Sequence, residues 1–275
     1  MSRESPLRHG LLYGALGFYA FISLVPPLWM LVASLKTRAT IFAFPPPLFE
    51  GWTLQNYLNV YVEGDYLTFV FNSVIIVLAT VVLTVAIGAA TGYALSRFDL
   101  PGREDMQFFA LTTRMGPPVA FAFPFYVLFS QLNLVDTKVG MVGVYILFNL
   151  AFAIWMMKGF IDEVPQKYEE AAQLDGYSRL AVLRKVVLPL VKPGLSATSI
   201  FVFIFTWNEF FYSLILTNNL AKPYTVQLTA FQGPNQLLWG QLFAATIIPI
   251  IPPLVFAVLM RKKLARGLTF GALST

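Results

Sequence analysis

The sequence contains no cysteine, and only 12% of its 275 residues are charged. The absence of cysteine excludes a disulfide framework, a thiolate metal site and a cysteine nucleophile. The charged fraction is about half that of an average soluble protein, while hydrophobic residues make up 57% of the chain. A soluble core cannot bury that much apolar surface, whereas a bilayer can accommodate it. The composition therefore predicts an integral membrane protein.

Residues that would support catalysis are also scarce. His9 is the only histidine and lies in the N-terminal tail, so a histidine-based triad or zinc site is excluded. The dipeptide Gly-Lys never occurs, so the chain has no GxxxxGK[ST] phosphate-binding loop. All six aspartates fall in predicted loops, whereas a membrane aspartyl protease needs two of them within spans. We therefore expect no catalytic residue, no metal site and no bound cofactor, and a role in moving a solute across a membrane.

Six segments are apolar and long enough to cross a bilayer, which takes about 20 residues. They are residues 10–34, 67–96, 106–131, 139–157, 194–217 and 239–260. If the N-terminus is inside, 14 of the 19 Lys and Arg residues fall in inner segments, four in outer segments and Arg114 within a span. Because Lys and Arg are retained on the cytoplasmic side, we predict that both termini are cytoplasmic. The net charge of +5 is then an orientation signal, and we infer no nucleic-acid partner.

Two of the predicted spans contain glycine or proline patterns that affect helix packing or helix continuity. Gly88 and Gly92 in span two have the GxxxG spacing that lets helices approach closely, which we interpret as helix packing. The Gly-Pro-Pro sequence at 116–118 removes consecutive backbone donors and must kink or unwind span three. Discontinuous helices often flank the substrate path of transporters, so this break is a candidate part of that path. Arg114 either snorkels toward the inner interface or caps the carbonyls that the break frees.

Polar residues recur along span five at spacings of seven, three, four and four. They are Ser199, Thr206, Glu209, Ser213 and Thr217. On a continuous helix these spacings share one face, and a carboxylate is costly against lipid, so this face is predicted to line a translocation path. Phe201, Phe205, Asn208 and Tyr212 fall on a different face, which we expect to pack against a neighbouring helix. Alternatively, the hydroxyls bond to carbonyls of their own helix.

The candidate path residues are therefore Thr206, Asn208, Glu209 and Ser213 of span five and Arg114 of span three. At a rise of about 1.5 Å per residue, Glu209 and Arg114 lie at different depths, so we predict no ion pair between them.

The longest predicted cytoplasmic loop, residues 158–192, is too charged to cross the membrane. A helix-forming run at 167–174 follows Pro165, and Gly176 can take the left-handed conformation that ends a helix. A second helical stretch, 178–187, is expected to stop before Pro189. The loop is thus predicted to be a short helix, a tight turn and another short helix, which suits docking into a cleft of a partner protein.

This loop resembles the EAA loop of binding-protein-dependent ABC importer permeases. That pattern is Glu-Ala-Ala, three residues, Gly, nine residues, Ile, one residue and Leu-Pro. The chain carries Glu170, Ala171, Ala172, Gly176, Val186, Leu188 and Pro189 at the matching positions, and Val186 in place of Ile is the one departure. The segments FNSVIIV, TRMGPP, FTWNEFF and RGLTFGA are similar to carbohydrate-uptake permeases of the maltose type, and within that group to the shorter, G-type permease.

The resemblance implies an all-α, polytopic membrane protein with six transmembrane helices, in which residues 1–275 form one permease domain and 158–192 the coupling loop. It implies import of a sugar, polyol or related solute across a bacterial-type inner membrane. The implied ATPase-coupling residues are Glu169, Glu170, Ala171, Ala172, Asp175, Gly176, Leu188 and Pro189.

The partners that the resemblance implies are a second permease in a heterodimer, two ATP-binding cassette subunits that bind the ATP and Mg²⁺, and an extracytoplasmic solute-binding protein. Membrane lipid surrounds the spans. The alternative function is an ion- or proton-coupled secondary carrier that uses Glu209 and Arg114, because an intramembrane charge is a functional candidate. A single intramembrane acid and a large docking loop fit such a carrier poorly.

Overall fold

The computed structural model describes residues 6–45, 47, 49–102, 105, 108, 112, 116–232 and 237–270. Within these residues the regular elements are helices, and the only extended pairings are two isolated bridges, Lys36 with Trp52 and Gln232 with Leu237. The predicted all-α class is confirmed.

The main helices are numbered in chain order. They are α1 (Pro6–Ser34), α2 (Tyr66–Arg97), α3 (Pro118–Gln131), α4 (Lys138–Asp162), α5 (Lys167–Leu174), α6 (Arg179–Leu190), α7 (Lys192–Trp207), α8 (Phe211–Leu216) and α9 (Trp239–Phe270). Shorter helical segments are Arg38–Ile41, Gln55–Tyr57, Leu58–Glu63, Tyr224–Gln227 and Leu228–Phe231.

Four helices of the described chain are long and apolar enough to cross a bilayer. They are Leu12–Ser34, Tyr66–Arg97, Lys138–Asp162 and Trp239–Met260. The helices α6 and α7 pass the same test together and meet at a bend of 80°. The second half of the predicted third span is α3, and most of its first half lies outside the described residues. The count of six spans therefore stays a prediction, as does the single permease domain over 1–275.

The chain divides into two compact units, of which one comprises the chain up to Leu67 and Leu228–Ile251. In this unit the Tyr61 hydroxyl donates a hydrogen bond to the carbonyl of Ala244 in α9. The buried Lys36 ammonium donates to the carbonyl of Pro47. These bonds attach the segment 41–61, which follows the first helix, to the rest of this unit.

The other unit comprises Thr68–Gln227 and the chain from Pro252 onward. Its core forms where α2 and α4 cross at small residues. A Cβ added at Gly88 would lie 2.8 Å from Ala153 Cβ, and one at Gly92 would lie 2.9 Å from the backbone nitrogen of Lys158. Only glycine allows so close an approach, so the interpretation of the GxxxG pair as helix packing is confirmed.

The predicted fifth span is not one helix, which corrects the expectation of a continuous face. The first helix, α7, ends at Trp207, residues 208–210 are not helical, and α8 begins at Phe211. The cause is local competition for backbone donors. The Glu209 side chain accepts the N–H of Tyr212, which a continuous helix would give to the carbonyl four residues earlier.

The second helix of the coupling loop also differs from the expectation, because it runs through Pro189 to Leu190. The stretch Leu183–Val187 is π-helical, and the N–H of Leu188 bonds to the carbonyl of Leu183. The proline therefore enters in the first turn of a new α-helical segment, where its missing N–H removes no helical bond.

Candidate functional site

The coupling loop folds as the predicted helix, turn and helix. The helix α5 covers the predicted residues, and Gly176 after it has a φ of 83°. The N–H of Tyr177 bonds to the carbonyl of Ala172 at 3.1 Å, and the N–H of Gly176 to that of Gln173 at 3.0 Å. These two bonds form a Schellman motif, which closes the helix at the left-handed glycine. No atom lies within 4 Å of a Cβ added at Gly176, so the backbone angle alone requires glycine.

The predicted coupling residues divide between two faces of the loop. Glu170, Ala171, Asp175, Gly176 and Pro189 are exposed, Leu188 is half-buried, and Glu169 and Ala172 are buried. The exposed face also carries large apolar side chains, which are Tyr168, Leu174, Tyr177 and Leu180. Leu174, the last residue of α5, is 91% exposed. Apolar side chains displayed in this way on a polar loop suit a protein partner.

Glu169 points inward and is held by α2. Its Oε1 lies 2.6 Å from Arg97 Nε, and its Oε2 accepts a hydrogen bond from the Tyr93 hydroxyl at 2.8 Å. The Arg97 and Glu169 side chains are 7% and 5% exposed. Arg97 Nη2 also donates to the carbonyls of Ile161 at 2.9 Å and Val164 at 2.8 Å, where α4 ends. Three acceptors from two other parts of the chain thus converge on one guanidinium, namely the Glu169 carboxylate and the carbonyls of Ile161 and Val164.

From the sequence alone, Arg97 is expected only as one of the inner positive charges that set the orientation, and no role is expected for Tyr93. A signal was present, because Arg97 occupies the last turn of a span. A cation there interacts favourably with the helix dipole and lies at the depth of the coupling loop. Its carboxylate partner, however, lies 72 residues further along the chain, and helical periodicity carries no information over that separation.

Glu209 lies in the break between α7 and α8 and caps α8. Its Oε1 accepts the N–H of Tyr212 at 2.8 Å. Its Oε2 accepts the N–H of Ser213 at 3.2 Å, the Ser213 hydroxyl at 3.1 Å and the Tyr145 hydroxyl of α4 at 2.8 Å. Hydrogen bonds to an ionised acceptor are roughly twice as strong as neutral ones. The Glu209 residue is half-buried.

The other candidate path residues of span five differ in burial and in their neighbours. Thr206 and Ser213 are 3% and 0% exposed and face α4, where Asn149 Nδ2 lies 3.4 Å from Thr206 Oγ1 and Tyr145 hydrogen-bonds to Ser213. Asn208 is exposed. The two hydroxyls therefore contact polar groups of a neighbouring helix, whereas the Asn208 amide donates to the carbonyl of Ile204 in α7 at 2.8 Å.

The aromatic residues on the other face of span five pack against α4, as expected. Phe201 and Phe205 contact Phe152 of α4, with ring centroids 5.6 and 5.4 Å apart, although each of the two is 38% exposed. Tyr212 is buried and stacks on Phe148 of the same helix at 4.3 Å.

The alternative interpretation of the hydroxyls is confirmed at the two ends of the stripe. Ser199 donates to the carbonyl of Leu195 and Thr217 to that of Ser213, each at 2.7 Å.

The break in span three is confirmed, and it lies beside the break in span five. The helix α3 begins at Pro118, and Pro117 is extended with φ −63° and ψ 129°. The Tyr212 hydroxyl donates to the carbonyl of Pro118 at 3.1 Å. Arg114 lies outside the described residues. Among the residues that the structure does describe, no cluster of His, Asp and Glu could hold a metal ion.

Comparison with known proteins gives a consistent result. The family profile described as "Binding-protein-dependent transport system inner membrane component" matches residues 84–270. The chain is 32% identical to the trehalose/maltose transport system permease protein MalG of Thermococcus litoralis, over 98% of this chain and 99% of that protein.

Two solved structures share the fold. One is a bacterial ABC transporter involved in the import of alginate, with a TM-score of 0.75 at 23% identity, over 96% of this chain and 99% of that one. The other is a bacterial alginate ABC transporter in complex with a periplasmic protein that holds an alginate pentasaccharide. Its TM-score is 0.66 at 13% identity, over 92% of each chain.

Proposed function

Because the chain belongs to the family of binding-protein-dependent transport system inner membrane components, we propose that it is the membrane-spanning subunit of an ATP-driven importer of a sugar, polyol or related solute. The observation that carries the proposal is the α5–α6 helix–turn–helix, closed at Gly176 and exposing an apolar face beside Glu170. The solute class is supported by the trehalose/maltose permease that shares 32% of the sequence.

One of two cytoplasmic ATP-binding cassette subunits docks on the exposed face of α5 and α6, and these subunits bind the ATP and Mg²⁺. Glu170 pairs there with a basic residue of the ATPase subunit, and Gly176 permits the turn that presents it. In this arrangement both termini of the chain are cytoplasmic. The permease itself hydrolyses nothing and holds no cofactor.

A second permease completes the membrane part as a heterodimer. Residues 12–29 of α1 are all exposed, so the rest of the chain does not bury them. A helix apolar all round is ordinarily covered by lipid or by another subunit. A solute-binding protein delivers the solute from the outside, as in the alginate transporter complex whose fold this chain shares.

The solute passes near the adjoining breaks of spans three and five. Glu209 is half-buried there, and Asn208 is exposed beside it. Thr206 and Ser213 support this region from behind, through α4. Arg114, which precedes the break of span three, belongs to the same part of the proposed path. Since Glu209 already caps α8 with four accepted hydrogen bonds, it is less suited to the proton cycle of a secondary carrier.

The test is uptake by the complete complex reconstituted in proteoliposomes, with labelled maltose, trehalose and sorbitol as probes. We expect uptake that requires ATP on the side of the ATPase subunits and survives a protonophore. Uptake that a protonophore abolishes while ATP remains would refute the proposal in favour of a coupled carrier.

Two variants test the docking site within that experiment. Glu170→Lys should lower both co-purification of the ATPase subunits and uptake, because it reverses an exposed charge on the docking face. Glu163→Lys is the matched control, since Glu163 is also exposed but lies outside the helix–turn–helix. Equal loss in both variants would show that the effect is general and not specific to the docking face.

A further inference from the structure

The coupling helix α5 is tied to the membrane helices at one buried ion pair. Glu169 on α5 receives Nε of Arg97 at 2.6 Å and the Tyr93 hydroxyl at 2.8 Å, and both of these donors belong to the last turns of α2. The same Arg97 side chain donates to the carbonyls of Ile161 and Val164 at the end of α4. One guanidinium therefore bonds to α5, α2 and α4 together.

The ends of α2 and α4 are also joined independently of Glu169. The Ser96 hydroxyl hydrogen-bonds to Asp162, whose other carboxylate oxygen lies 2.5 Å from Lys158 Nζ. Arg97 Nη1 donates to the same Ser96 oxygen at 3.0 Å. Arginine suits this position because its planar group presents five donors in fixed directions, whereas lysine is a point charge on a flexible stem.

We propose that Arg97, Glu169 and Tyr93 form a clamp, through which any displacement of α5 moves the inner ends of α2 and α4 as one body. The proposal rests on the proposed function in one respect, namely that a docked ATPase subunit supplies the displacement. Neighbouring acids then have separate tasks. Glu170 faces outward toward the partner, and Glu169, about 100° around the helix, faces inward and positions α5 on the spans.

The geometry supports a rigid connection, rather than a hinge, between α5 and the inner ends of α2 and α4. The two charged side chains are 7% and 5% exposed, so separating them in place leaves a buried charge without its counter-ion. The bonds from Arg97 to Ile161 and Val164 use carbonyls at and just beyond the end of α4, where the Ile161 carbonyl also accepts the N–H of Val164 at 3.0 Å. Rotation of α5 against α4 would break these contacts together, whereas movement of all three helices as one body preserves them.

The absence of cysteine allows a direct test with two spin labels on the full-length permease in nanodiscs. One label replaces the exposed Gln173 on α5, and the other the exposed Leu147 on α4, about 21 Å along that helix from Ile161. Pulsed electron spin resonance measures the distribution of distances between them. It is recorded for the permease alone and for the complex with ATPase subunits, without nucleotide and trapped with ADP–vanadate.

With the clamp intact, we expect one narrow distribution that does not shift on trapping. Glu169→Gln should widen it in the permease alone and shift it on trapping. Glu163→Gln, a change at an exposed carboxylate outside the helix–turn–helix, should leave the distribution as in the wild type. The double variant Arg97→Met with Glu169→Gln removes both charges while keeping apolar volume. It should fold, because no buried charge is left unpaired, and it should also show the wide distribution.

The proposal is overturned if Glu169→Gln and the double variant keep the narrow distribution, or if the wild-type distance itself shifts on trapping. Failure of the ATPase subunits to bind the wild-type permease is a different result. It would count against the proposed function, while the distributions of the permease alone would still decide whether the clamp exists.

Discussion

Replacing Gly88 by alanine should push α2 and α4 apart at their closest approach. The added methyl would lie 2.8 Å from Ala153 Cβ and 3.1 Å from the Ala153 carbonyl carbon. Carbon atoms in relaxed contact are about 3.5–4.0 Å apart, so the two helices must separate locally by several tenths of an ångström. Overpacking of this kind costs about 1–3 kcal/mol, and a backbone carbon cannot rotate out of the way as a side chain can.

A double-mutant cycle separates this clash from other effects. Ala153→Gly removes the nearest atom and by itself costs about 0.5–1 kcal/mol in helix stability. In the Gly88→Ala background it should instead restore part of the loss, which gives a coupling energy of about 1–2 kcal/mol, within the range for residues in contact. Gly143→Ala in α4 is the matched control, because no atom lies within 4 Å of a Cβ there.

The assay is reversible unfolding of the permease in mixed micelles by added sodium dodecyl sulfate, followed by tryptophan fluorescence. The reasoning fails if Gly88→Ala is as stable as Gly143→Ala, or if Ala153→Gly lowers stability equally in both backgrounds. A further comparison is available at Gly92, where the nearest atom is the Lys158 backbone nitrogen at 2.9 Å. No side-chain substitution can relieve that contact, so Gly92→Ala should have no second-site remedy in α4.

Three further changes have defined outcomes. Gly176→Val places a β-branched residue at φ 83°, at a cost of about 1–2 kcal/mol or more, and should lower co-purification of ATPase subunits without lowering membrane insertion. Asp136 is partly desolvated, which alone would raise its pKa, but bonds from four backbone N–H groups outweigh this and hold the pKa below its ordinary value. Its contribution to stability is therefore complete above about pH 4 and is lost as the pH falls through the lowered pKa; acid unfolding of Asp136→Asn should show a weaker pH dependence than the wild type. Glu209→Gln keeps the shape of the α8 cap but removes its charge, so we expect reduced uptake with basal ATPase activity retained, and unchanged uptake would contradict a role in the path.

The features that could be predicted from the sequence are those that depend on composition or on residues close together along the chain. Composition is sufficient to predict a membrane protein, since a bilayer is the only solvent for so much apolar surface. The bounds of α5 and the left-handed Gly176 follow from helix propensity and the steric freedom of glycine. The break before Pro118 follows from the missing N–H of proline.

Which polar groups hydrogen-bond to one another could be learned only from the tertiary structure. The Arg97 guanidinium bonds to Glu169, which lies 72 residues away in the sequence, and the Tyr145 hydroxyl bonds to Glu209, which lies 64 residues away. Residue spacing indicates which side chains share a face of a helix only if those residues lie on one continuous helix. In span five they do not, because the carboxylate of Glu209 takes backbone donors from α8 and interrupts the periodicity. A buried polar group bonds to the partner that the packing of distant helices brings within about 3 Å. That partner therefore depends on the tertiary structure and not on the spacing of residues along the chain.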